Sequence, residues 1–277
     1  YQADNEQAEA VYAAEEIVRL NNGAIISDPP TFAILYRTNA QSRVLEEVFL
    51  HYGIPYILVG GTRFYERREI KDVLAYLKLL INPNESVSLE RIRKLGKNRF
   101  EKFKKLYDEV KDKLETYSTD KIIEKLFQTV DYLKLYDAED EEDFGRLENI
   151  KELKSVALNF PKLMDFLEQV ALVESEYSEH EKKTRGGKRQ LVLMTLHQAK
   201  GLEFDHVFIV GVEEGLLPHS RSLDDQFQLE EERRLFYVGI TRAKKSLYIT
   251  NTRKRFIFGT QGYSTPSRFI ADEQDTY

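Results

Sequence analysis

A polar turn between two apolar runs carries the side chains with the most evident chemistry. Lys200, Gly201 and Glu203 lie in this turn, within Leu193–Pro218 (LMTLHQAKGLEFDHVFIVGVEEGLLP). The pattern predicts a strand, a functional loop and a second strand. A lysine, a glycine that permits close backbone approach and a carboxylate suit a nucleotide ligand, but they also suit an ordinary surface loop. Other parts of the chain have to decide between these interpretations.

Arg37 and Arg242 are the next candidates for binding an anion. Arg37 directly follows the apolar run Thr31–Tyr36, and Arg242 lies between a predicted helix and the strand Ser246–Thr250. Ligands bind beyond the carboxyl ends of the strands in an open parallel sheet, so we expect both arginines to meet Lys200 at one sheet edge. Guanidinium groups bind phosphate oxygens bidentately, which makes a polyphosphate the expected ligand. A surface salt bridge is the alternative role for each arginine taken singly.

Several motifs for hydrolysis are missing from the sequence. Gly96-Lys97 and Gly187-Lys188 both lack the first glycine and the following Ser or Thr of a G-x-x-x-x-G-K-[ST] phosphate loop. No acidic pair ends an apolar strand to hold magnesium, and no G-x-S-x-G elbow is present. The five histidines do not have the spacing of metal ligands. We therefore predict no metal site, and no nucleotide hydrolysis by this chain alone.

The composition is that of a globular protein with about two domains. The 277 residues are 42% hydrophobic and 32% charged, and the absence of cysteine excludes a disulfide framework and Cys-ligated zinc. No apolar run approaches the ~20 residues that span a bilayer, and the first residues, YQADNEQAEA, do not resemble a signal peptide. We therefore expect a cytoplasmic protein without a membrane partner. Its net charge of −6 still permits local basic surfaces.

Both ends of the chain predict an α/β domain, and the middle predicts only helices. Near the start, the apolar runs Thr31–Tyr36 and Tyr56–Val59 indicate buried strands separated by helical patterns, and strands resume at Gln190–Met194. Every clearly periodic segment between residues 103 and 175 indicates a helix. We therefore predict a parallel sheet flanked by helices and interrupted by an all-helical inserted domain. The boundaries are 1–90 and 190–277 for the α/β domain and 91–189 for the insertion.

Charged stretches occur at several places along this predicted arrangement of strands and helices. Residues 91–105 carry eight cations and one anion, a run that could lie along a phosphate backbone. Asp137–Asp143 is predicted to be a solvated loop, and Ser175–Lys188 is predicted to be flexible. The acidic groups Glu213-Glu214 and Glu230–Glu232 are interpreted as solvated charges or as charges near a helix N-terminus.

Three segments resemble motifs IV, IVa, V and VI of the UvrD/PcrA/Rep family of superfamily 1A DNA helicases. They are FAILYRTNAQSRVLEEVFLHYGIPYILVGGTRFYERREIKDVLAYLKLL (32–80), LVLMTLHQAKGLEFDHVFIVGVEEGLLPH (191–219) and EEERRLFYVGITRAKKSLYIT (230–250). They occur in the order of the family, and shorter pieces such as ADNEQAEA and TPSRF agree as well. The resemblance implies the C-terminal half of such a helicase, with a second RecA-like motor domain (2A) and an inserted 2B domain.

The resemblance also implies roles at an ATP site. Tyr36 would stack on or beside the adenine, and Arg37 of motif IV would contact the γ-phosphate. Arg242 of motif VI would be the second arginine at the γ-phosphate, the finger that stabilises the transition state. From its position alone, Tyr36 could instead be a core residue that caps its strand.

Motif V would complete the nucleotide site. The resemblance implies that Glu203 binds the ribose hydroxyls while Lys200 and Gly201 shape its loop. A structural ion pair between Glu203 and Lys200 is the alternative. ATP and Mg²⁺ would be held mainly by an N-terminal motor domain that lies outside this chain.

Other positions would face DNA. Thr195 and His197 would lie on the path from ATP to single-stranded DNA, through stacking and phosphate pairing that tolerate any sequence. Phe64 and Arg67 in motif IVa are further candidates, although Phe64 could simply cover the sheet edge. The inserted domain is shorter than the usual 2B domain, and Lys94-Leu95-Gly96-Lys97-Asn98 replaces its Gly-Ile-Gly turn. Lys94 and Lys97 would bind duplex phosphates there, or would belong to a solvated helical face.

These features together predict the C-terminal motor portion of a monomeric, ATP-dependent 3′-to-5′ DNA helicase or translocase. Its partners would be single-stranded DNA, the duplex junction and its own N-terminal motor domain. A non-catalytic DNA- or protein-binding module derived from a helicase is the alternative function, and a catalytically inactive paralogue is a third. A phosphate loop encoded upstream of Tyr1 would favour the helicase.

Overall fold

The structure is a computed structural model that describes residues 1–22, 29–184, 191–257 and 260–270. Contacts among residues divide the chain into two compact units. Unit 1 comprises Tyr1–Thr62, Ser178–Phe256 and Gln261–Tyr277, and unit 2 comprises Arg63–Tyr177 and Ile257–Thr260. The sequence places the domain boundaries at 90/91 and 189/190 instead. The second of these lies outside the described residues, and the functional assignment of the segment before residue 91 stays a prediction.

A parallel sheet forms the centre of unit 1. The described strands are β1 (Gln2–Ala3), β2 (Phe32–Tyr36), β3 (Tyr56–Leu58), β4 (Leu191–Thr195), β5 (Phe204–Ile209), β6 (Ala243–Ile249), β7 (Asn251–Thr252), β8 (Lys254–Ile257) and β9 (Thr260–Tyr263). Five of them form one sheet in the order β3-β4-β2-β5-β6, with every neighbouring pair parallel. The central β2 is buried along its whole length, as expected for an apolar strand with neighbours on both sides.

Helices cover this sheet and make up unit 2. The described α-helices are α1 (Glu6–Asn22), α2 (Ser42–His51), α3 (Arg68–Ile81), α4 (Ser86–Lys94), α5 (Lys97–Val110), α6 (Thr119–Val130), α7 (Glu141–Ala157), α8 (Leu163–Thr184) and α9 (Gln226–Ile240). In unit 1, Ala33 and Leu35 share a core cluster with Phe236 of α9. Because strand side chains alternate between faces, Ile34 and Tyr36 lie on the other face. The predicted α/β fold with a helical interruption is confirmed.

A buried ionic network ties the first helix to the loop after β5. The Arg255 guanidinium donates from Nη2 to Glu9 at 2.5 Å and to Glu213 at 2.8 Å, and the side chains of all three residues are less than a tenth exposed. Burial by itself would raise the pKa of Glu213, but the charge of Arg255 and the hydrogen bonds from Arg255, the Thr252 backbone and Ser264 together outweigh it and leave this pKa below its usual value. The prediction that Glu213 is solvated is therefore wrong. Removing one member of such a network would leave a buried charge uncompensated.

Between Arg63 and Tyr177 unit 2 is helical, as predicted, and it includes one helix that the periodicity did not indicate. Helix α4 has few apolar positions to signal it, since Ile92 is buried but Val87 is 72% exposed. Two residues, Leu95 and Gly96, connect α4 to α5, and Gly96 has a φ of 117°. A side chain rarely adopts this backbone conformation, so glycine is the residue that permits the tight turn.

Two polar stretches are more ordered than the sequence predicts. Asp140 caps α7 by accepting a hydrogen bond from the backbone N–H of Asp143 at 2.9 Å, and Glu141–Asp143 form the first turn. Negative charge is favourable there because of the partial positive charge at a helix N-terminus. Residues 175–184 continue α8, so the expected flexible run is helical as far as Thr184. Its end, residues 185–188, lies outside the described residues.

Candidate functional site

The connection from β4 to β5 begins with a capped 3₁₀ turn, Leu196–Ala199. Thr195 forms the N-cap, and its backbone N–H donates to Oε1 of Gln198 at 3.0 Å. The Gln198 amide also lies against Gly60, where an added Cβ would come within 1.8 Å of its Nε2. These contacts hold the turn at the carboxyl end of β4, with Thr195 buried and His197 exposed.

The same connection then crosses to the other edge of the sheet. Lys200 and Gly201 follow the turn, Gly201 with a φ of 83°, and Glu203 immediately precedes β5. Because β4 and β5 are both parallel to β2, the segment that leaves the carboxyl end of one must reach the amino end of the other. Thr195 and Glu203 therefore lie at opposite edges of the sheet.

Arg242 lies at the amino edge beside Glu203, held by neutral acceptors. Its Nε donates to the carbonyl of Val238 at 2.9 Å, Nη1 to the carbonyl of Leu202 at 3.0 Å and Nη2 to Oγ1 of Thr241 at 2.9 Å. Its own carbonyl accepts from the N–H of Phe204 at 2.9 Å. Guanidinium has five N–H groups, so two remain without a partner among the described residues. These contacts fix the side chain without neutralising its charge.

Lys244 completes the charged surface at this edge. Its Nζ lies 3.2 Å from Oε2 of Glu203, with the two side chains 55% and 60% exposed. An exposed ion pair of this kind contributes little to stability. Because both side chains are more than half exposed, both groups are accessible to a ligand. We call Glu203, Arg242 and Lys244 the amino-edge cluster. Glu203 thus pairs with Lys244 and not with Lys200, the partner that the sequence suggests.

Asp205 anchors the backbone next to this cluster. Its Oδ2 accepts from the N–H of Thr31 at 2.9 Å and from the Thr31 hydroxyl at 3.1 Å, and Oδ1 lies 3.0 Å from Nζ of Lys245. The hydrogen bond from the Thr31 backbone, followed by that from Lys245, lowers the pKa of Asp205 to about 2. The carboxylate is therefore ionised at neutral pH and joins the starts of β2, β5 and β6.

Arg37 lies at the carboxyl edge, directly after β2, and forms a bidentate ion pair with Glu232 of α9. Nη2 donates at 2.8 Å and Nε at 3.0 Å, and the side chains are 18% and 7% exposed. The expectation that Arg37 and Arg242 share one sheet edge is wrong, because Arg242 precedes a strand and Arg37 follows one. The interpretation of Glu232 as a solvated charge is also wrong.

Three other residues that the sequence predicts to contact adenine or DNA are buried inside the fold. Tyr36 is 1% exposed and Phe64 is fully buried, so neither ring offers a free face to a base. Arg67 is 6% exposed, and its Nη1 donates to Oδ1 of Asn149 at 2.7 Å. Tyr36 is buried because β2 is the central strand of the sheet, and the Arg67 guanidinium lies over the ring of Phe64, 5.2 Å from its centroid. The predictions of direct adenine or DNA contact for them therefore do not agree with their burial.

Lys94 and Lys97 are exposed at the α4–α5 connection, as predicted. Lys94 pairs with Glu90 at 2.7 Å, and both side chains are more than two thirds exposed. The neighbouring Arg93 and Lys104 lie over the ring of Phe100, with distances of 5.3 and 4.8 Å to its centroid. The turn therefore presents cations around an aromatic ring.

Sequence reasoning missed Glu232, Lys244 and Gly239 as parts of this arrangement. Lys244 lies two residues after Arg242, so a search for cations at the start of the strand β6 would have found it. Glu232 could have been suggested by its place among the polar residues of an otherwise amphipathic helix. Gly239 shows its role only in three dimensions, because an added Cβ would meet Leu196 at 2.5 Å.

Neither a membrane-spanning helix nor a metal-ligand cluster occurs in the part of the chain that the structure describes. No described helix has the length and apolar character to cross a bilayer. No group of three or more His, Asp or Glu side chains is placed to hold an ion within residues 1–22, 29–184, 191–257 and 260–270.

Comparison with known proteins identifies relatives of this chain. Residues 1–124 and 93–254 match the UvrD-like helicase C-terminal domain. The chain is 38% identical to the ATP-dependent DNA helicase PcrA of Bacillus subtilis, in an alignment covering 99% of this chain and 43% of that protein. It is 37% identical to the ATP-dependent DNA helicase UvrD1 of Mycobacterium tuberculosis, covering 98% and 43%. PcrA of Staphylococcus epidermidis is 38% identical, again covering 98% and 43%.

The chain spans 43% of the length of each relative. The alignment with the Bacillus subtilis protein extends over 324 residues, more than the 277 of this chain, so that relative contains segments with no counterpart here. The family match nevertheless covers most of the chain, and the predicted resemblance is confirmed. This chain belongs to the family of UvrD-like helicase C-terminal domains.

Proposed function

We propose that this chain is the second motor domain, with its insertion, of an ATP-dependent 3′-to-5′ DNA helicase, and that it supplies Arg242 to the γ-phosphate of ATP. The observation that carries the proposal is the set of hydrogen bonds that holds the Arg242 side chain. This side chain is oriented by three neutral acceptors, no carboxylate among the described residues balances its charge, and two N–H groups are left for a ligand. A preorganised cation of this kind can stabilise the charge that develops during phosphoryl transfer.

The two predicted arginines differ in their suitability for this role. The bidentate pair with Glu232 satisfies the charge of Arg37 in a largely buried setting. Moving Arg37 to a phosphate would leave the Glu232 carboxylate buried and unpaired, which is costly. We therefore propose that Arg37 positions α9, and that Arg242 is the residue that contacts the nucleotide.

Glu203 is the proposed ribose ligand. Its carboxylate is exposed in the amino-edge cluster, and the carbonyl of the preceding residue, Leu202, accepts a hydrogen bond from Arg242. A carboxylate accepts hydrogen bonds from sugar hydroxyls, so one nucleotide could meet Glu203 at its ribose and Arg242 at its phosphates. Lys200 and Gly201 would shape the loop, and Tyr36 would support the site from inside the sheet.

We assign the binding of the ATP phosphates and of Mg²⁺ to another part of the parent protein, which is the proposed longer polypeptide that contains this chain. This chain has no phosphate loop, and the described residues provide no cluster of metal ligands. The relatives extend well beyond the matched region. We propose that an N-terminal motor domain of the same polypeptide binds ATP and magnesium, and that the amino-edge cluster closes on them in each cycle. Hydrolysis then releases Arg242, and the repeated closure moves the protein along DNA.

DNA would be contacted at the opposite end of the β4–β5 connection and in unit 2. His197 is exposed beside the capped turn at the carboxyl end of β4, with Thr195 beneath it. Lys94 and Lys97 are exposed at the α4–α5 turn. We propose single-stranded DNA at the first position and duplex phosphates at the second. Phe64 and Arg67 are buried, so we propose that they support the fold of unit 2.

The test compares ATP hydrolysis by this chain and by its parent protein, each with and without single-stranded oligothymidine. We expect no turnover from the chain and DNA-stimulated turnover from the parent. A parent that hydrolyses ATP only at the rate of a buffer blank would contradict the motor function. If such a parent still bound DNA, the result would support the binding-module alternative.

A further inference from the structure

Gly239 occupies a tight contact between α9 and the 3₁₀ turn Leu196–Ala199. A Cβ at this position would lie 2.5 Å from Cδ2 of Leu196 and 3.0 Å from Cδ1 of Ile209. Leu196 and Ile209 are both fully buried, so neither side chain has free space into which it could move. The missing side chain is what allows the helix to approach the turn this closely.

This contact joins the two ends of the proposed site. Leu196 lies between Thr195 and His197, at the end assigned to DNA. Gly239 lies three residues before Arg242, at the end assigned to ATP. A second connection, from Nη1 of Arg242 to the carbonyl of Leu202 at 3.0 Å, ties the helix terminus to the same loop further along. The β4–β5 connection is thus fastened to the end of α9 at two points.

We propose that Gly239 is a positioning residue that makes the β4–β5 connection and the end of α9 move as one body, so that DNA bound near His197 controls the placement of Arg242. The inference rests on the proposed function and adds a coupling element to it. A displacement of about 1 Å in a catalytic group can lower a rate about a hundredfold. A methyl group wedged between Leu196 and Gly239 is large enough to cause a displacement of that order.

The chain contains a matched control for the substitution. Gly145 lies within α7, and an added Cβ there would meet no atom within 4 Å. Gly145→Ala therefore makes the same chemical change in a helix without the close contact. It should raise the thermal midpoint slightly, because an unfolded chain with alanine at this position has fewer conformations to lose on folding.

The experiment measures the ratio of DNA-stimulated to unstimulated ATP turnover in the parent protein, with oligothymidine as the probe, together with the thermal midpoint. We expect Gly239→Ala to lower the ratio about tenfold or more and Gly145→Ala to leave it unchanged. The double variant Gly239→Ala/Leu196→Val removes the atom that the new Cβ meets, and we expect it to recover most of the ratio. A purely structural role would change the thermal midpoint and not the ratio.

Each outcome decides between the alternatives. A folded Gly239→Ala protein with the wild-type ratio would overturn the inference, as would a ratio that is lost and not recovered in the double variant. If Gly239→Ala fails to fold, Leu196→Val alone carries the test, because loosening the same contact should also lower the ratio. An unchanged ratio in that variant would again overturn the inference. A wild-type parent without DNA stimulation would instead count against the proposed function.

Discussion

Arg37 and Glu232 join the central strand of the sheet to α9 through a bidentate ion pair. The guanidinium donates from Nε and Nη2 to the carboxylate at 3.0 and 2.8 Å, and the two residues are 195 positions apart in the sequence. Glu232 also accepts from the backbone N–H of His219 at 3.0 Å. One carboxylate therefore fixes the end of β2, the loop before α9 and the second turn of that helix.

Replacing Arg37 should destabilise the fold strongly. Arg37→Leu leaves the Glu232 side chain, which is 7% exposed, without its cation. We expect a loss of about 3 kcal/mol in the free energy of unfolding, measured by urea titration of this chain. Arg234→Leu is the control, because its pair with Glu231 is exposed at 70% and 49% and should contribute less than about 1 kcal/mol. Equal losses in the two variants would contradict a special role for the Arg37 pair.

Arg242→Ala in the parent protein should abolish most ATP turnover while leaving DNA binding nearly intact. Removal of an arginine finger lowers the rate by about 10³-fold or more. The affinity for single-stranded DNA should change by less than about threefold, because that affinity depends mainly on phosphate contacts made by other residues. Steady-state turnover and fluorescence anisotropy with a labelled oligothymidine measure the two quantities. Arg253→Ala serves as control, because that side chain is 66% exposed and pairs with Asp4. Normal turnover in Arg242→Ala would remove this residue from the mechanism.

Glu203→Ala should weaken recognition of the sugar more than it slows the chemical step. Loss of hydrogen bonds to a charged acceptor costs about 1.5 kcal/mol or more, which corresponds to a rise in KM for ATP of about tenfold. The wild-type parent should also prefer ATP to its dideoxyribose analogue, and the variant should lose that preference. Lys244→Ala tests whether the neighbouring cation produces the same effect. If Glu203→Ala keeps the wild-type preference, the carboxylate does not read the ribose.

Lys94→Ala and Lys97→Ala should reduce the salt dependence of duplex DNA binding. Each lost phosphate contact reduces the magnitude of the slope of log K against log salt concentration by about 0.9, so the slope of the double variant should be smaller in magnitude by about 1.8. Binding is measured over a series of salt concentrations with the parent protein and a blunt duplex. Lys121→Ala is the control, because Lys121 is 65% exposed in another helix of unit 2. An unchanged slope in the double variant would place the duplex elsewhere.

His206 should make the stability of the chain depend on pH. Burial lowers the pKa of its imidazole, while the nearby Asp205 and Glu16 act to raise it and Lys245 acts to lower it. Its Nδ1 has no hydrogen-bond partner among the described residues, and its ring stacks on Phe32 with centroids 5.2 Å apart. The unfolded chain therefore binds a proton at a higher pH than the folded chain does. Stability falls as the pH drops through the usual histidine pKa of about 6.5.

The substitution His206→Gln should remove this loss. Unfolding by urea at about pH 7.5 and about pH 5.5 gives the change in free energy for each protein, and the wild type should lose more than the variant. His197→Gln is the control, because that imidazole is exposed. Identical changes in wild type and His206→Gln would show that this imidazole is not the group responsible.

The sequence by itself determined the architecture and the family. The apolar run of β2 is long enough for a strand and has no polar position, which is the pattern of a strand buried on both faces. The apolar residues of α3 likewise recur at the spacing of a helix. These features depend on neighbours along the chain, and local patterns are sufficient to detect them. Helix α4 was missed because it buries too few apolar side chains to produce such a pattern.

The placement of the charged residues was decided only by tertiary structure. Nothing local distinguishes Arg37, whose charge is balanced by a residue 195 positions away, from Arg242, which is held by neutral carbonyls. The edge of the sheet that each arginine occupies depends on whether it precedes or follows a parallel strand, and on how the β4–β5 connection crosses between edges. Burial of Tyr36 and Arg67 likewise follows from packing of distant segments. Long-range pairing and packing thus decided which predicted residues remain accessible to a ligand, because a side chain's accessibility depends on everything that surrounds it in space.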